Sequence, residues 1–238
     1  MSAPKTALLL NGSPKPDGGT SLSLGSYLLE RLEEKGLTTQ KIRINSALVT
    51  PETTYKLLEP VKTVDLIILA FPLYVDSLPA QTTRALQLIA RQRALQPNPT
   101  KPQFTAIANC GYAEAGNNRV ALMICQRFAK ETAMEWMGGL ALGMGEMIAG
   151  GRLQQKGGLV RHVIQALDLC AERLAQGLPI PQESVELMAR PFMPAWFYRM
   201  LGNRLWMQRY GRENQGDKID ARPYLPENET SSQDDDNS

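Results

Sequence analysis

Residues 64–71 constrain this chain more than any other segment. Within them Leu66, Ile67, Ile68, Leu69 and Ala70 follow one another with no polar residue between them. A strand with one face in water alternates apolar and polar positions, and a strand covered on both faces does not. Continuous apolarity over so short a run predicts a central strand of a parallel sheet, with helices packed above and below it.

The neighbouring residues supply those helices and further strands. Residues 6–10 read as a strand closed by Asn11-Gly12-Ser13-Pro14. Residues 20–35 read as a helix with the stripe Leu22, Leu24, Leu28, Leu29 and Leu32, stopped by Gly36. Residues 40–44 alternate weakly and form a second expected strand, joined to the central one by a short link. Then follow a helix over 79–93, a strand over 104–109 and a helix over 118–136. A glycine-containing strand over 138–144 and a helix over 159–174, stopped by Gly177 and Pro179, complete the series. This order predicts an α/β fold with a parallel sheet covered on both faces.

At 238 residues the chain exceeds one ordinary domain of roughly 150 residues without reaching two. The excess lies beyond Pro179. Residues 190–212 hold five arginines (Arg190, Arg199, Arg204, Arg209, Arg212), no acidic residue and no lysine. They also hold Phe192, Trp196, Phe197, Tyr198, Trp206 and Tyr210. Residues 226–238 contain Glu227, Glu229, Asp234, Asp235 and Asp236 and no cation, so the formal net charge of +2 conceals +7 on residues 1–225. The expected organisation is a domain over 1–180, an Arg/aromatic arm over 181–225 and an acidic disordered tail over 226–238.

The arm admits three uses. It suits packing across its own domain or a partner subunit in a homodimer or higher homo-oligomer, where Trp and Arg concentrate. It also suits peripheral membrane contact through 190–212, since cations mixed with Trp and Phe fit the headgroup region. A nucleic-acid patch is disfavoured, because the segment has no binding framework and the overall charge is near neutral.

Residue counts exclude other chemistry. His162 is the single histidine, so a site of several imidazoles is ruled out. Cys110, Cys125 and Cys170 lie far apart, which disfavours a structural zinc or iron–sulfur site and suits a reducing compartment. Residues 7–10 are too short for the apolar region of a signal peptide, and no uninterrupted apolar run approaches the ~18 residues of a membrane span. A soluble cytoplasmic protein is expected.

In open α/β sheets, ligands sit beyond the carboxyl ends of the strands. The first loop there, from Asn11 to Ser21, offers hydroxyls, glycine-exposed amides and a cation at a helix N-terminus, all suited to a phosphate. It is neither GxxxxGK[ST] nor GxGxxG, so neither an ATPase nor a dinucleotide-binding reading follows. Its plainer reading is a surface loop with Thr20 or Ser21 as a helix cap. The second loop, Phe71-Pro72-Leu73-Tyr74-Val75-Asp76-Ser77-Leu78-Pro79, presents apolar and aromatic surface to a flat ring. The third, from Asn109 to Asn118, supplies a second wall. Cys110 within it lacks a neighbouring base, and His162 is expected on an exposed helix, so nucleophilic catalysis is disfavoured.

Together LLLNGSP (8–14), GGTS (18–21), FPLYVDSLP (71–79) and NCGYAEAG (109–116) resemble the flavodoxin-like NAD(P)H-dependent FMN reductases, over about residues 5–175. The resemblance implies a doubly wound sheet of strand order 2-1-3-4-5 followed by a C-terminal helical arm. It implies that Ser13, Lys15, Thr20 and Ser21 hold the FMN phosphate. Pro72, Leu73, Tyr74, Val75 and Asp76 would border the isoalloxazine, with Asn109, Cys110, Gly111 and Tyr112 on its other side. The family often has Asn where Gly19 stands, so one side-chain contact to phosphate is missing here. Residues 45–63 lack the cysteine motif of the related iron–sulfur flavoproteins.

The implied activity is electron transfer from NADPH or NADH through FMN to a small acceptor: a quinone, free flavin, azo or nitro compound. The flavin would carry the chemistry, so no catalytic side chain and no metal are expected. A flavodoxin-type electron carrier and a non-catalytic flavin sensor are the alternatives. The +7 body disfavours the carrier, since such carriers are acidic around the flavin.

Overall fold

The structure, a computed structural model, describes residues 3–15, 18–96, 101–148 and 150–212. Strands β1 (Thr6–Asn11), β2 (Thr38–Arg43), β3 (Leu66–Pro72), β4 (Gln103–Asn109) and β5 (Glu135–Leu142) form a five-stranded sheet in the order β2-β1-β3-β4-β5. Every neighbouring pair is parallel. The helices are α1 (Thr20–Glu34), α2 (Ile44–Ala47), α3 (Pro51–Val61), α4 (Ala80–Ala94), α5 (Arg119–Glu131), α6 (Arg161–Ala175), α7 (Gln182–Ala189) and α8 (Ala195–Arg212). The order 2-1-3-4-5 implied by the resemblance is the observed one, and the fold is flavodoxin-like.

β3 occupies the centre, and Leu66 to Phe71 are all buried. Its side chains divide by the two-residue period of a strand. Leu66, Ile68 and Ala70 join Leu9, Leu24, Leu28 and the α6 residues Val163, Leu167 and Cys170 on one face. Ile67, Leu69 and Phe71 join Leu8, Leu10, Leu57, Leu86, Ile89 and Cys125 on the other. Each such buried Leu, Ile or Phe contributes about 1.5–3 kcal/mol before the entropic cost of ordering it. A polar clasp within one of these layers joins α1 to α6, where the Tyr27 hydroxyl donates to Asp168 at 2.8 Å. Burial, then that carboxylate, push the phenol up to about 12.

The structure corrects several sequence boundaries. The short link between β2 and β3 contains α2 and α3. Thr50 caps α3 in a reciprocal box with Thr53, and Pro51 opens its first turn. The helix expected over 118–136 ends at Glu131, and Trp136 belongs to β5. The chain reverses between them at Ala133, whose φ of 53° is a left-handed turn without glycine. His162, expected to be exposed, is half-buried with its ring edge-on to Phe192 at 4.9 Å. Burial, then the nearby Arg190 charge, hold its imidazole below the usual pKa.

The compact unit runs from residue 1 to Ala195. It therefore includes α7, which buries Ser184 and Met188 and lies in the segment read as an arm. α8 belongs to a second unit, in which the Trp196 and Phe197 rings meet edge to face at 5.6 Å. The rest of the arm and the acidic tail, 213–238, lie outside the described residues. Among the described residues no helix is long and apolar enough to cross a membrane.

At the amino ends of the strands, Asp65 ties β3 to β1. Its carboxylate accepts from the Lys5 and Thr6 amides at 2.9 and 3.0 Å and from the Thr6 hydroxyl at 2.9 Å. Burial alone would raise its pKa, but these hydrogen bonds outweigh it and the pKa is lowered. The resulting stabilisation is present above the unfolded value of roughly 4 and is lost as pH falls through the folded value. Asp65→Asn is expected to lower unfolding free energy by about 1 kcal/mol at pH 7, discounted for exposure, in urea titrations. The gap from wild type should close as titrations approach pH 3.

Candidate functional site

β1 lies between β2 and β3, so the chain leaves β1 in one direction and returns to its other side. The connections after β1 and β3 diverge there and open a crevice at the carboxyl edge of the sheet. The β1–α1, β3–α4 and β4–α5 loops all reach this edge, as the sequence predicts.

In the first loop, Asn11 is buried, and its Oδ1 accepts the Ser13 amide at 3.2 Å. Its Nδ2 is buried without a hydrogen-bond partner. Gly19 is the extended residue before α1, and no side chain caps the helix there. Among the described residues no side chain caps the first-turn amides of α1. A β-carbon at Gly19 would lie 2.7 Å from the Ser13 hydroxyl, which would have to rotate away to admit one. Ser13 and Ser21 are buried, Thr20 is half-buried and Lys15 is exposed.

In the second loop Tyr74 and Ser77 exchange both backbone hydrogen bonds at 3.0 Å. The residues between them, Val75 and Asp76, have φ of 47° and 58°. Such a turn favours Asn-Gly, and a β-branched residue fits it poorly. Val75 is 98% exposed, so its side chain makes no compensating contact. Pro72 and Leu73 are half-buried, while Tyr74 and Asp76 are exposed.

The third loop joins the other two. Asn109 is 5% exposed, and its Nδ2 donates to the Ser21 hydroxyl at 2.8 Å and to the Phe71 carbonyl at 3.2 Å. Its own carbonyl accepts the Leu73 amide at 2.7 Å. One residue thus links the start of α1, the end of β3 and the second loop. Gly111 and Tyr112 are exposed, but Cys110 turns inward. Its sulfur accepts from Asn118 at 3.3 Å and lies 3.7–3.9 Å from the carbonyls of Leu142, Glu114 and Tyr112. Burial pushes its thiol pKa up, that of Cys125 to about 12, and that of Cys170 higher still. None has the lowered pKa of an activated nucleophile.

The sequence matches the profile of the NADPH-dependent FMN reductases over residues 6–146. The chain belongs to that family. The match spans β1 to β5 and includes all three loops. No curated protein matches the chain in sequence.

Solved structures show the same fold for this FMN reductase family member. A flavodoxin of Streptococcus pneumonia TIGR4 aligns with TM-score 0.51 at 15% identity, over 73% of this chain and 99% of that one. An FMN-dependent NADH-azoreductase from Bacillus anthracis str. Ames Ancestor, solved with FMN, aligns with TM-score 0.51 at 13% identity, over 74% of this chain and 100% of that one. The rubredoxin oxygen:oxidoreductase of Desulfovibrio gigas aligns with TM-score 0.52 at 10% identity, over 74% of this chain but only 36% of that longer one.

Sequence reasoning missed a fourth segment of the family member's site, after β5. There the Gly145 carbonyl accepts the Thr20 hydroxyl at 2.7 Å. The signal is Gly143, Gly145, Gly150 and Gly151, of which only Gly143 falls in an expected element, the strand over 138–144. Among the described residues no cluster of three or more His, Cys, Asp or Glu is placed to hold a metal ion.

Two expectations follow. Asn109→Leu should destabilise the protein by about 1–3 kcal/mol in urea, because it removes the buried amide's hydrogen bonds to the Ser21 hydroxyl and the Phe71 carbonyl. Replacing Val75-Asp76 with Asn-Gly should stabilise it by about 1–2 kcal/mol, by relieving left-handed backbone in non-glycine residues. An unchanged midpoint in calorimetry would disprove the second.

Proposed function

We propose that the chain is an FMN-dependent oxidoreductase that takes electrons from NADPH or NADH and delivers them to a small quinone, flavin, azo or nitro acceptor. The observation that carries this reading is the convergence of an uncapped α1 N-terminus with two aromatic loops, joined through Asn109. The reductase family supplies the cofactor class.

The residues present fit a flavin monophosphate. The open first turn of α1 offers amide hydrogens to an anion, and the helix dipole favours its charge. The orphaned Asn11 Nδ2 lies in the same loop and has a hydrogen to give. Ser21 accepts from Asn109 and so keeps its own hydroxyl proton for an acceptor outside. Tyr74 and Tyr112 are 47% and 59% exposed on the flanking loops and offer aromatic surface to a planar ring.

When bound, FMN supplies the redox chemistry, receiving a hydride equivalent from reduced nicotinamide and releasing two electrons to the acceptor. The chain binds and orients. Ser13, Lys15 and Ser21 are assigned to the phosphate end, where Thr20 offers its backbone amide because its hydroxyl proton goes to Gly145, and 72–76 with 109–112 to the ring. No proton transfer is asked of Cys110, whose inward, poorly acidic thiol is unsuited to it.

The test is an absorbance spectrum of the purified chain after FMN addition, then anaerobic titration with NADPH and with NADH. Bound flavin bleached by either nucleotide is the expected result. Flavin that binds but resists both would mark a carrier or sensor, and a chain that takes up no flavin would refute the reading. Ser21→Ala should weaken FMN binding about tenfold, the scale of one charge-assisted hydrogen bond.

A further inference from the structure

Residues 190–212 carry five arginines and no acidic residue or lysine, and none of them is assigned to the flavin. Most of the segment is α8, a helix of 18 residues and so about 27 Å long. It belongs to a unit of its own that begins at Trp196. Trp196, Phe197, Met200, Leu201 and Met207 are all exposed on it, Trp196 at 65%. Among the described residues no other Trp or Phe is exposed.

These five side chains share one side of the helix. At about 100° per residue, Trp196, Met200 and Met207 fall within about 40° of one another, and Phe197 and Leu201 widen that face to about 140°. Tyr198, Arg199 and Gly202 fall outside it. Arg204 falls inside it, where an arginine lays its stem on apolar groups and keeps its guanidinium in water. An apolar patch of this kind marks a surface that something covers. A nucleic acid would answer the arginines but leave Met200, Leu201 and Met207 in water. A protein groove would cover the apolar side, but it gives no reason for five cations without one acid. A bilayer with anionic headgroups answers both. Since no described helix is long and apolar enough to cross a membrane, α8 would lie in the plane of that surface.

We propose that α8 docks flat on an anionic phospholipid surface, with Trp196, Met200 and Met207 at the acyl boundary and Arg204 reaching the headgroup phosphates. The remaining arginines of 190–212 add to the attraction through their charge. The proposal does not depend on the flavin reading, and each can fail without the other.

Co-sedimentation of the full-length chain with vesicles of phosphatidylcholine alone, or of equal parts phosphatidylcholine and phosphatidylglycerol, tests this. Partition onto the anionic vesicles is expected to be at least about tenfold stronger and to weaken as salt rises. Tryptophan emission should shift to the blue as Trp196 leaves water. Trp196→Ser combined with Met200→Ser should cut partition at least about tenfold, and so should Arg204→Glu, with the urea midpoint as in wild type. No partition onto either vesicle, or equal partition onto both, overturns the proposal. So does partition unchanged in both variants. Tighter binding to duplex DNA than to anionic vesicles at equal phosphate concentration would assign the helix to nucleic acid and overturn it. A dimer in ultracentrifugation that is lost in the double variant, with no vesicle binding, would assign the helix to a second copy and overturn it too. If the double variant fails to fold, wild type on the two vesicles and Arg204→Glu still decide the matter.

Discussion

β3 has no face that it can show to water. Leu66, Ile68 and Ala70 belong to one apolar layer and Ile67, Leu69 and Phe71 to the other. Covering both requires helices on both sides of the sheet, and crossovers between parallel strands are right-handed. Every strand then points the same way and every strand-to-helix loop emerges at one edge. The crevice is a by-product of that packing, because the chain departs from β1 in one direction and re-enters beside it as β3.

Polar groups gathered at that edge must find partners among themselves. Asn109 satisfies this by linking Ser21, the Phe71 carbonyl and the Leu73 amide around a single residue. Asn118 plays a similar part in the third loop, donating to the carbonyls of Ala115 and Leu142 at 3.1 Å. These bonds hold three loops of unrelated sequence in one arrangement. Among the described residues, the groups left over at the start of α1, the helix's first-turn amides and Asn11 Nδ2, are hydrogen donors and suit an anion.

What the sequence revealed and what it hid divide along physical lines. β1, β3, β4, α1 and α4 were legible because their apolar runs end in Gly, Pro or Asn. α3 went unread although Thr50, Pro51 and Thr53 mark its start, because its apolar stripe is short. The start of β5 was hidden because Ala129, Met134 and Met137 continue an apolar pattern through a turn at Ala133 that lacks glycine. The loops of the site were visible as interruptions after strands. The directions of their side chains were not, since Cys110 turns inward and Thr20 bonds to Gly145 for reasons that lie far off in the chain. No local pattern encodes a contact across 125 positions.

That long-range contact has a consequence for how the site comes into being. Gly145 follows β5, the last strand of the sheet in chain order, whose ladder with β4 holds it beside the start of α1. During synthesis the first loop is made 125 positions before the residue that its Thr20 bonds to. The contact at the start of α1 therefore cannot form until every strand of the sheet has been made.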